Sequence, residues 1–392
     1  MKLDTLLIHG GLDGDGTTGA VNVPIYLTST FRQSGLGQDH KYEYSRTGNP
    51  TREALEKLIA ELESGEAGFA FASGMAAITA VLMLFKTGDR IIISENVYGG
   101  TFRVLDQIFR QFGLSYAIAD PSQPDILDSS FDENTRAVLL ETPANPLLSI
   151  ADIARVASIA GKHQALTIVD NTFMTPYLQK PLELGADIVV HSATKYLGGH
   201  SDLIAGLAIV NSRELAKKLH FIQNSTGGIL EPFDSWLLIR GIKTLGVRMD
   251  RHVENARYMA DFLHYNPAVG RIYYPGLQNS PGYEVHERQA AAPGAMISFE
   301  LTAEYDIHQF LKALQIISLG ESLGGVESLI CHPASMTHAA IPPEIRRAVG
   351  ITDNLLRLSV GLENKKDLVA DIKHALAAAA KNGQEDEGRM SS

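Results

Sequence analysis

The chain has 392 residues, 45% of them hydrophobic, and a formal net charge of −11. That balance describes a folded globular protein with a large core and room for two or three domains, and it argues against a sequence-independent nucleic-acid binder or a protein held to anionic membranes. One cysteine, Cys331, excludes an internal disulfide and fits a reducing, cytoplasmic compartment. No run approaches the roughly 18 apolar residues of a membrane span. The start, Met1-Lys2-Leu3-Asp4, lacks the apolar stretch of a signal peptide.

Residues 1–50 show no helical or strand period and read as an arm, with Pro24 breaking the one apolar patch. Tyr42-Glu43-Tyr44-Ser45-Arg46-Thr47-Gly48-Asn49-Pro50-Thr51 follows; two tyrosines and an arginine beside a turn suit either packing on a partner subunit or a solvated loop. From Thr51 the apolar residues Leu55, Leu58, Ile59 and Leu62 fall at helical spacing, with Thr51 as the expected cap and Gly65 as the stop. Phe69–Ala72 reads as a strand. Ser73-Gly74-Met75-Ala76-Ala77 then opens an Ala-rich helix to about Phe85. Such a turn offers free backbone N–H groups and a favourable dipole to a phosphate. Neither G-x-G-x-x-G nor the P-loop pattern occurs, so the nucleotide-binding motifs have nothing to stand on.

Arg90–Ser94 is the next strand, followed by Tyr98-Gly99-Gly100. The glycines let backbone approach a ligand, and the Tyr98 face can stack on a flat ring. A helix to Phe112 and a strand at Ser115–Ala119 come next. Strand Ala137–Glu141 runs into Thr142-Pro143-Ala144-Asn145-Pro146. Asn145, between two prolines, is either a plain turn residue or an amide for a carboxylate or ring hydroxyl. After a helix at Ile153–Lys162, strand Ala165–Asp170 ends in a carboxylate, where open α/β sheets place ligands.

The apolar run Ala186–Val190 leads into His191-Ser192-Ala193-Thr194-Lys195-Tyr196-Leu197-Gly198-Gly199-His200. A lysine so close to an apolar strand end is costly to bury as a cation, so its proton affinity is expected to fall. A neutral amine suits Schiff-base chemistry, and the Ser192 and Thr194 hydroxyls can serve a phosphate beside it. A pyridoxal-phosphate site pairs such a lysine with an aspartate that keeps the ring nitrogen protonated. Lys195 and Asp170, 25 positions apart (195 − 170), fit that requirement. Helices and strands alternate from about 51 to 210, which predicts a mainly parallel sheet with helices on both faces.

A strand at Ile204–Val210 and a helix to about Phe221 precede a break at Gly227-Gly228 and Pro232. One long helical segment is expected from Asp234 through Leu245 to Met259. The domains expected are an arm at 1–50, an α/β domain at 51–235, an α+β domain at 236–380 and a polar, disordered tail at 381–392. The α+β part holds strands near Arg271–Tyr274 and Ala295–Leu301, a helix near Ile307–Ala313 and a final helix Lys365–Ala380. It also carries the tight loop Glu321-Ser322-Leu323-Gly324-Gly325 and the strand Asn354–Gly361. The lone Arg357 of that strand calls for an anion, either a protein Glu or an amino-acid substrate held bidentately. Cys331, His332 and His338 match no usual zinc spacing, and no metal is expected.

Taken in order, Y-E-Y-S-R-T-G-N-P-T, A-S-G-M-A-A, V-Y-G-G-T, E-T-P-A-N-P, V-D-N-T-F, H-S-A-T-K-Y-L-G-G-H, E-S-L-G-G-V-E-S-L and H-P-A-S-M-T-H resemble the cysteine/methionine-metabolism family of pyridoxal-phosphate enzymes. The resemblance runs from about residue 5 to 380. It implies the aspartate-aminotransferase-like fold (fold type I) and trans-sulfuration chemistry, most similar to the bacterial cystathionine γ-lyases, with γ-synthases and β-lyases close behind. By this resemblance Lys195 is the Schiff-base lysine and proton shuttle, Asp170 pairs the pyridine nitrogen, and Tyr98 stacks on the ring and takes part in proton transfer. Gly74, Met75, Ser192 and Thr194 hold the phosphate, and Tyr44 and Arg46 reach in from the neighbouring subunit. Thr172 lies near the ring. Arg357, with Asn145 and Ser322, grips the substrate α-carboxylate. The resemblance also implies a homotetramer built as a dimer of dimers. Three positions narrow the substrate: Gly100, where methionine γ-lyases typically carry Cys; Glu321, an acid like that of cystathionine γ-lyases; and Leu323, where one group of β-lyases has Trp.

Overall fold

A computed structural model describes residues 1–381 except 13, 38–39, 338 and 340–342; His338 and the expected tail from 382 onward lie outside the described residues. The chain divides into two compact units.

The first unit comprises residues 1–145, 149–250 and 275–294. Its sheet has seven strands: β1 (Ala67–Phe71), β2 (Arg90–Ser94), β3 (Ser115–Ala119), β4 (Thr135–Glu141), β5 (Leu166–Asp170), β6 (Ile188–Ser192) and β7 (Gly206–Val210). Their order in space is β1-β7-β6-β5-β4-β2-β3. All pairs are parallel except those of β7, which runs antiparallel to both β1 and β6. The strands carry near-continuous apolar runs such as Ile91-Ile92-Ile93 because both faces of the sheet are covered. One core lies around Phe71, Ile78, Leu82, Ile91, Leu139 and Ile188, the other around Val138, Leu140, Ile153, Val156 and Val169. The register sets Glu141 beside Asp170 and Asp170 beside Val190. The carboxyl ends of β4, β5 and β6 therefore share one edge. β7 returns alongside β6 with Gly206 opposite Ser192, so the segment carrying Lys195 is the connection between them.

Three local expectations are corrected. The arm contains a helix, Leu3–His9, with Leu7 buried; two turns are too short to show a period against the loop that follows. The helix Pro50–Leu62 is capped by Asn49, whose side chain accepts from the Thr51 and Arg52 amides, with Pro50 in the first turn. Thr51 instead ties down the arm, donating to the Pro24 carbonyl (2.8 Å) and accepting from the Tyr26 amide (3.0 Å). The long C-terminal helical segment is two helices, Pro232–Ile242 and Leu245–His264. Between them Thr244 turns its hydroxyl back to the Gly241 carbonyl (3.1 Å).

The second unit comprises residues 146–148, 251–274 and 295 onward. Its five strands are β8 (Val269–Tyr273), β9 (Met296–Leu301), β10 (Ser318–Leu319), β11 (Leu329–Cys331) and β12 (Leu355–Ser359), in the order β10-β11-β12-β9-β8. Only β10 and β11 pair in parallel. Helices Ile307–Ala313 and Lys365–Ala379 pack together in this unit. β10 and β11 have two and three residues, too few for alternation to reveal them.

The start of β7 touches the turn before the helix Gly74–Leu82: a Cβ at Gly206 would lie 2.7 Å from the Gly74 nitrogen. Gly206→Ala should therefore overpack this junction and cost about 1–3 kcal/mol of stability, read as a lower unfolding midpoint in denaturant. An unchanged midpoint would show that the turn gives way freely.

Candidate active site

Five of the predicted residues are brought together by the edge of the first unit's sheet. Asp170 closes β5. Thr172, two residues on, donates its hydroxyl to Asp170 Oδ1 (2.5 Å) and its amide to the same oxygen (3.0 Å). The Thr172 hydroxyl also accepts the Ser192 amide from the end of β6 (2.8 Å). One threonine thus fixes the spacing of the two strand ends that carry the carboxylate and, three residues later, Lys195. Among the described residues no hydrogen bond reaches Asp170 Oδ2. Loss of hydration pushes the Asp170 carboxyl above its usual range, opposed by the two Thr172 bonds and by His191. A carboxylate so placed is short of a cationic partner.

The candidate anion seat is the start of the nine-residue helix Gly74–Leu82. Ser73 caps it by accepting from the Ala76 amide (3.1 Å). The Gly74 and Met75 amides find no partner among the described residues, which leaves two donors at the positive end of a helix dipole. Ser192 closes the seat: a Cβ at Gly74 would stand 2.9 Å from Ser192 Cβ and 3.1 Å from its hydroxyl oxygen. Only glycine lets the helix start approach β6 so closely.

Lys195 lies on the turn after β6, half-buried, with its amide on the Ser192 carbonyl (3.2 Å) and its carbonyl accepting the Gly199 amide (2.8 Å). Thr194 and Ala205 share three hydrogen bonds: the Thr194 hydroxyl accepts the Ala205 amide (3.1 Å) and donates to the carbonyl (3.3 Å), and the Thr194 amide donates to that carbonyl (3.3 Å). Thr194 pins the base of the loop. Tyr98 precedes the helix Gly99–Gln107 and is 44% exposed, so its ring has an open face. That ring and Met75 crowd Gly100, where a Cβ would fall 2.5 Å from Tyr98 Cε1 and 2.7 Å from Met75 Sδ. A cysteine at this position would displace the tyrosine.

In the arm, the Arg46 guanidinium donates to the Asn224 carbonyl (2.8 Å) at the end of the helix Arg213–Thr226 and lies 5.6 Å from the Tyr44 ring centre. Asn145 is buried just past β4, in a segment where Ala144 bridges Ser149. In the second unit, Arg357 is buried on β12 between Cys331 of β11 and Ser298 of β9. It donates to the Ser322 carbonyl (3.0 Å). Ser322 holds a left-handed φ of 88°, a strained conformation for a residue other than glycine. Glu321 is exposed beside it. Burial pushes the Cys331 thiol up, away from the nucleophilic thiolate form. His332 is occupied by Ser335 (2.7 Å) and the Asp353 carbonyl (2.9 Å).

Sequence reasoning missed a buried network behind this edge. Glu63 Oε1 meets the His191 ring (2.7 Å) and accepts from Asn171 (3.0 Å). Asn171 donates to the Gln179 carbonyl (2.9 Å), and Gln179 donates to Asn171 (3.1 Å) and to the Thr142 carbonyl (3.1 Å). Every member neighbours a site-bearing strand end. In the sequence His191 is one polar residue at the end of an apolar run, and Glu63, 128 positions away, gives no local signal.

A strand-end carboxylate with one oxygen that no described residue bonds, a helix start with two amides that none of them accepts, and a lysine on the adjoining turn fit a pyridinium, a phosphate and an aldehyde in that order. These are the parts of a pyridoxal-phosphate site on a type I, aspartate-aminotransferase-like fold. The comparisons agree. The family of Cys/Met metabolism PLP-dependent enzymes matches residues 4–377. A cystathionine β-lyase of Lactococcus lactis is 58% identical over 96% of this chain and 99% of its own length. A cystathionine γ-lyase of Bacillus subtilis is 56% identical over 96% and 99%. The crystal structure of cystathionine γ-lyase from Lactobacillus plantarum complexed with L-serine superposes with a TM-score of 0.95 at 52% identity, covering 97% of this chain and 99% of that one. The chain belongs to the Cys/Met-metabolism family of PLP-dependent enzymes, and its cofactor is pyridoxal 5′-phosphate.

The raised proton affinity of Asp170 has a sign that can be checked. Its folded value lies above 3.8, so the apoprotein loses stability as pH rises through that value and keeps the cost above it. Asp170→Asn should make the apoprotein more stable than wild type near neutral pH, with the gap narrowing as pH falls through the folded value and closing toward 3.8. The variant should also gain less stability than wild type when cofactor is added. Thermal unfolding with and without cofactor reads both effects; a gap that ignores pH would contradict the assignment.

Proposed function

We propose that this protein is a PLP-dependent carbon–sulfur lyase that cleaves cystathionine by γ-elimination, releasing cysteine, ammonia and 2-oxobutanoate. The observation that supports this most is the coincidence of the Asp170–Lys195 edge with relatives named cystathionine lyases at 56 and 58% identity. Bound pyridoxal phosphate supplies an electron sink for the Cα of an amino acid. On this reading the chain does the following. Asp170 Oδ2 holds the ring-nitrogen proton. The Gly74 and Met75 amides and the Ser192 hydroxyl hold the phosphate, with Thr194 steadying the loop through Ala205. Thr172 keeps Asp170 and the β6 end in register. The Tyr98 face covers the ring. The Lys195 amine takes the Cα proton and carries it onward, as a general base then acid. Arg357, with Asn145 and Ser322, orients the substrate α-carboxylate so that the bond to be broken is held in one direction. Glu321, an exposed acid, suits the distal ammonium of cystathionine.

A second reading is β-elimination, favoured by the relatives named β-lyases at 58% identity. Purified enzyme given cystathionine alone separates the readings. Cysteine with 2-oxobutanoate means γ-elimination, and homocysteine with pyruvate means β-elimination. Turnover only with an activated homoserine ester and cysteine means a γ-replacement transferase.

The remaining assignments concern assembly. We place the enzyme in the cytoplasm as a homotetramer, a dimer of dimers whose sites take Tyr44 and Arg46 from the neighbouring subunit. Arg52, fully buried, anchors the arm to its own helix by donating to the Ser45 (2.7 Å) and Arg46 (3.2 Å) carbonyls. Inactive Arg46→Ala and inactive Lys195→Ala, refolded together, should regain partial activity, because a hybrid dimer contains one site with both residues intact. Hybrids seen in sedimentation without recovered activity would mean that the two residues serve one subunit.

A further inference from the structure

The turn that carries Lys195 is braced by a buried cation that no carboxylate among the described residues neutralises. Arg248, 4% exposed, lies in the first turn of the helix Leu245–His264. All three guanidinium nitrogens are used: Nη1 donates to the Tyr196 carbonyl (2.7 Å), Nη2 to the Gly241 carbonyl (2.8 Å) and Nε to the Thr244 hydroxyl (3.1 Å). Loss of hydration pulls its proton affinity down to about 10, so it stays charged at neutral pH. The turn is shaped around it. Gly199 has a φ of +74°, and a Cβ there would sit 2.5 Å from Arg248 Cζ. On the other side, a Cβ at Gly241 would lie 2.8 Å from the Leu197 carbonyl oxygen. The residues fixed by these contacts are Tyr196, Leu197 and Gly199, and the Gly199 amide is the partner of the Lys195 carbonyl.

Burying an unneutralised guanidinium is expensive. A neutral side chain could satisfy one carbonyl, and a lysine ammonium is a point donor. Only the planar fork of arginine spans two carbonyls and a hydroxyl at fixed angles. We infer that Arg248 is a positioning residue for Lys195: by gripping the Tyr196 carbonyl and filling the space over Gly199, it holds the turn in the one conformation that presents the lysine amine. The inference rests on the reading of Lys195 as the residue that bonds the cofactor.

The test uses holoenzyme and three variants. Arg248→Gln should lower kcat by about 10–100-fold with little change in KM, and should weaken the visible circular dichroism of bound cofactor per occupied site, because the amine loses its fixed orientation. Arg248→Lys should recover part of both. Thr244→Val removes the hydroxyl partner of Nε and should shift kcat and dichroism in the same direction, less far. If Arg248→Gln does not fold, the other two decide. Wild-type kcat and dichroism in both Arg248→Lys and Thr244→Val, with only the unfolding temperature lowered, would overturn the inference and leave Arg248 a structural clamp. Borohydride reduction of wild type followed by peptide mapping checks the premise separately. Cofactor found on Lys195 supports it, and cofactor found on another lysine removes it whatever Arg248 does.

Discussion

The first unit's site depends on one hydroxyl. Thr172 donates to the Asp170 carboxylate and accepts the Ser192 amide, so a single side chain sets the distance between two neighbouring strand ends. The alternative, two loops each ordered by its own contacts, would let the carboxylate and the lysine-bearing turn drift independently. The bridge also decides which carboxylate oxygen is satisfied. Both Thr172 bonds fall on Oδ1, and the remaining oxygen is the one short of a charge partner. Partial satisfaction of a buried acid destabilises the empty protein and favours whatever cation completes it. The fold holds this arrangement because the surrounding sheet is packed on both faces and is too stiff to relax it away.

The polar network of Glu63, His191, Asn171 and Gln179 extends the same logic inward. All four side chains are at most 2% exposed. Removing one partner of a buried pair such as Glu63 and His191 strands the other, at about 3–5 kcal/mol. The network therefore behaves as a rigid plate on which the ends of β4, β5 and β6 are mounted. His191 immediately precedes Ser192, and Asn171 immediately follows Asp170. Displacing the plate moves the site, although none of its members needs to touch a ligand.

Much of this was legible in the sequence, for identifiable reasons. The apolar strands and their carboxyl-end residues stand out because buried parallel strands are short apolar runs with a polar break. The Ser73-Gly74 turn, Asp170 and the Lys195 turn are each local patterns, and the structure brings them to one edge. What the sequence could not supply is contact across distance. Asn49 displaces Thr51 as the helix cap because Thr51 is taken by Pro24 and Tyr26, 27 and 25 positions away. Thr194 carries a hydroxyl for a phosphate in the sequence, and only the structure shows that the same hydroxyl also bonds Ala205, 11 positions away. Arg357 was expected to meet an anion, and in the second unit it meets the Ser322 carbonyl, which the positive φ of Ser322 accompanies. In each case a residue of the right chemistry has a partner that periodicity cannot see.

The antiparallel return of β7 ties these observations together. Had the chain continued in parallel after β6, a crossover helix would have carried Lys195 away from the strand end. Doubling back sets Gly206 opposite Ser192, so the connection must be a compact loop anchored at both ends by strand pairing. Thr194 and Ala205 cross-link its base, and Arg248 and Gly241 close over its far side. The same β7 start lies against Ser73 and Gly74, so the strand that shapes the lysine turn also seats the start of the helix Gly74–Leu82. Helix start and lysine turn are thereby referenced to one strand. A departure from parallel topology that composition gave no hint of is what brings the helix start and the lysine turn into a common frame.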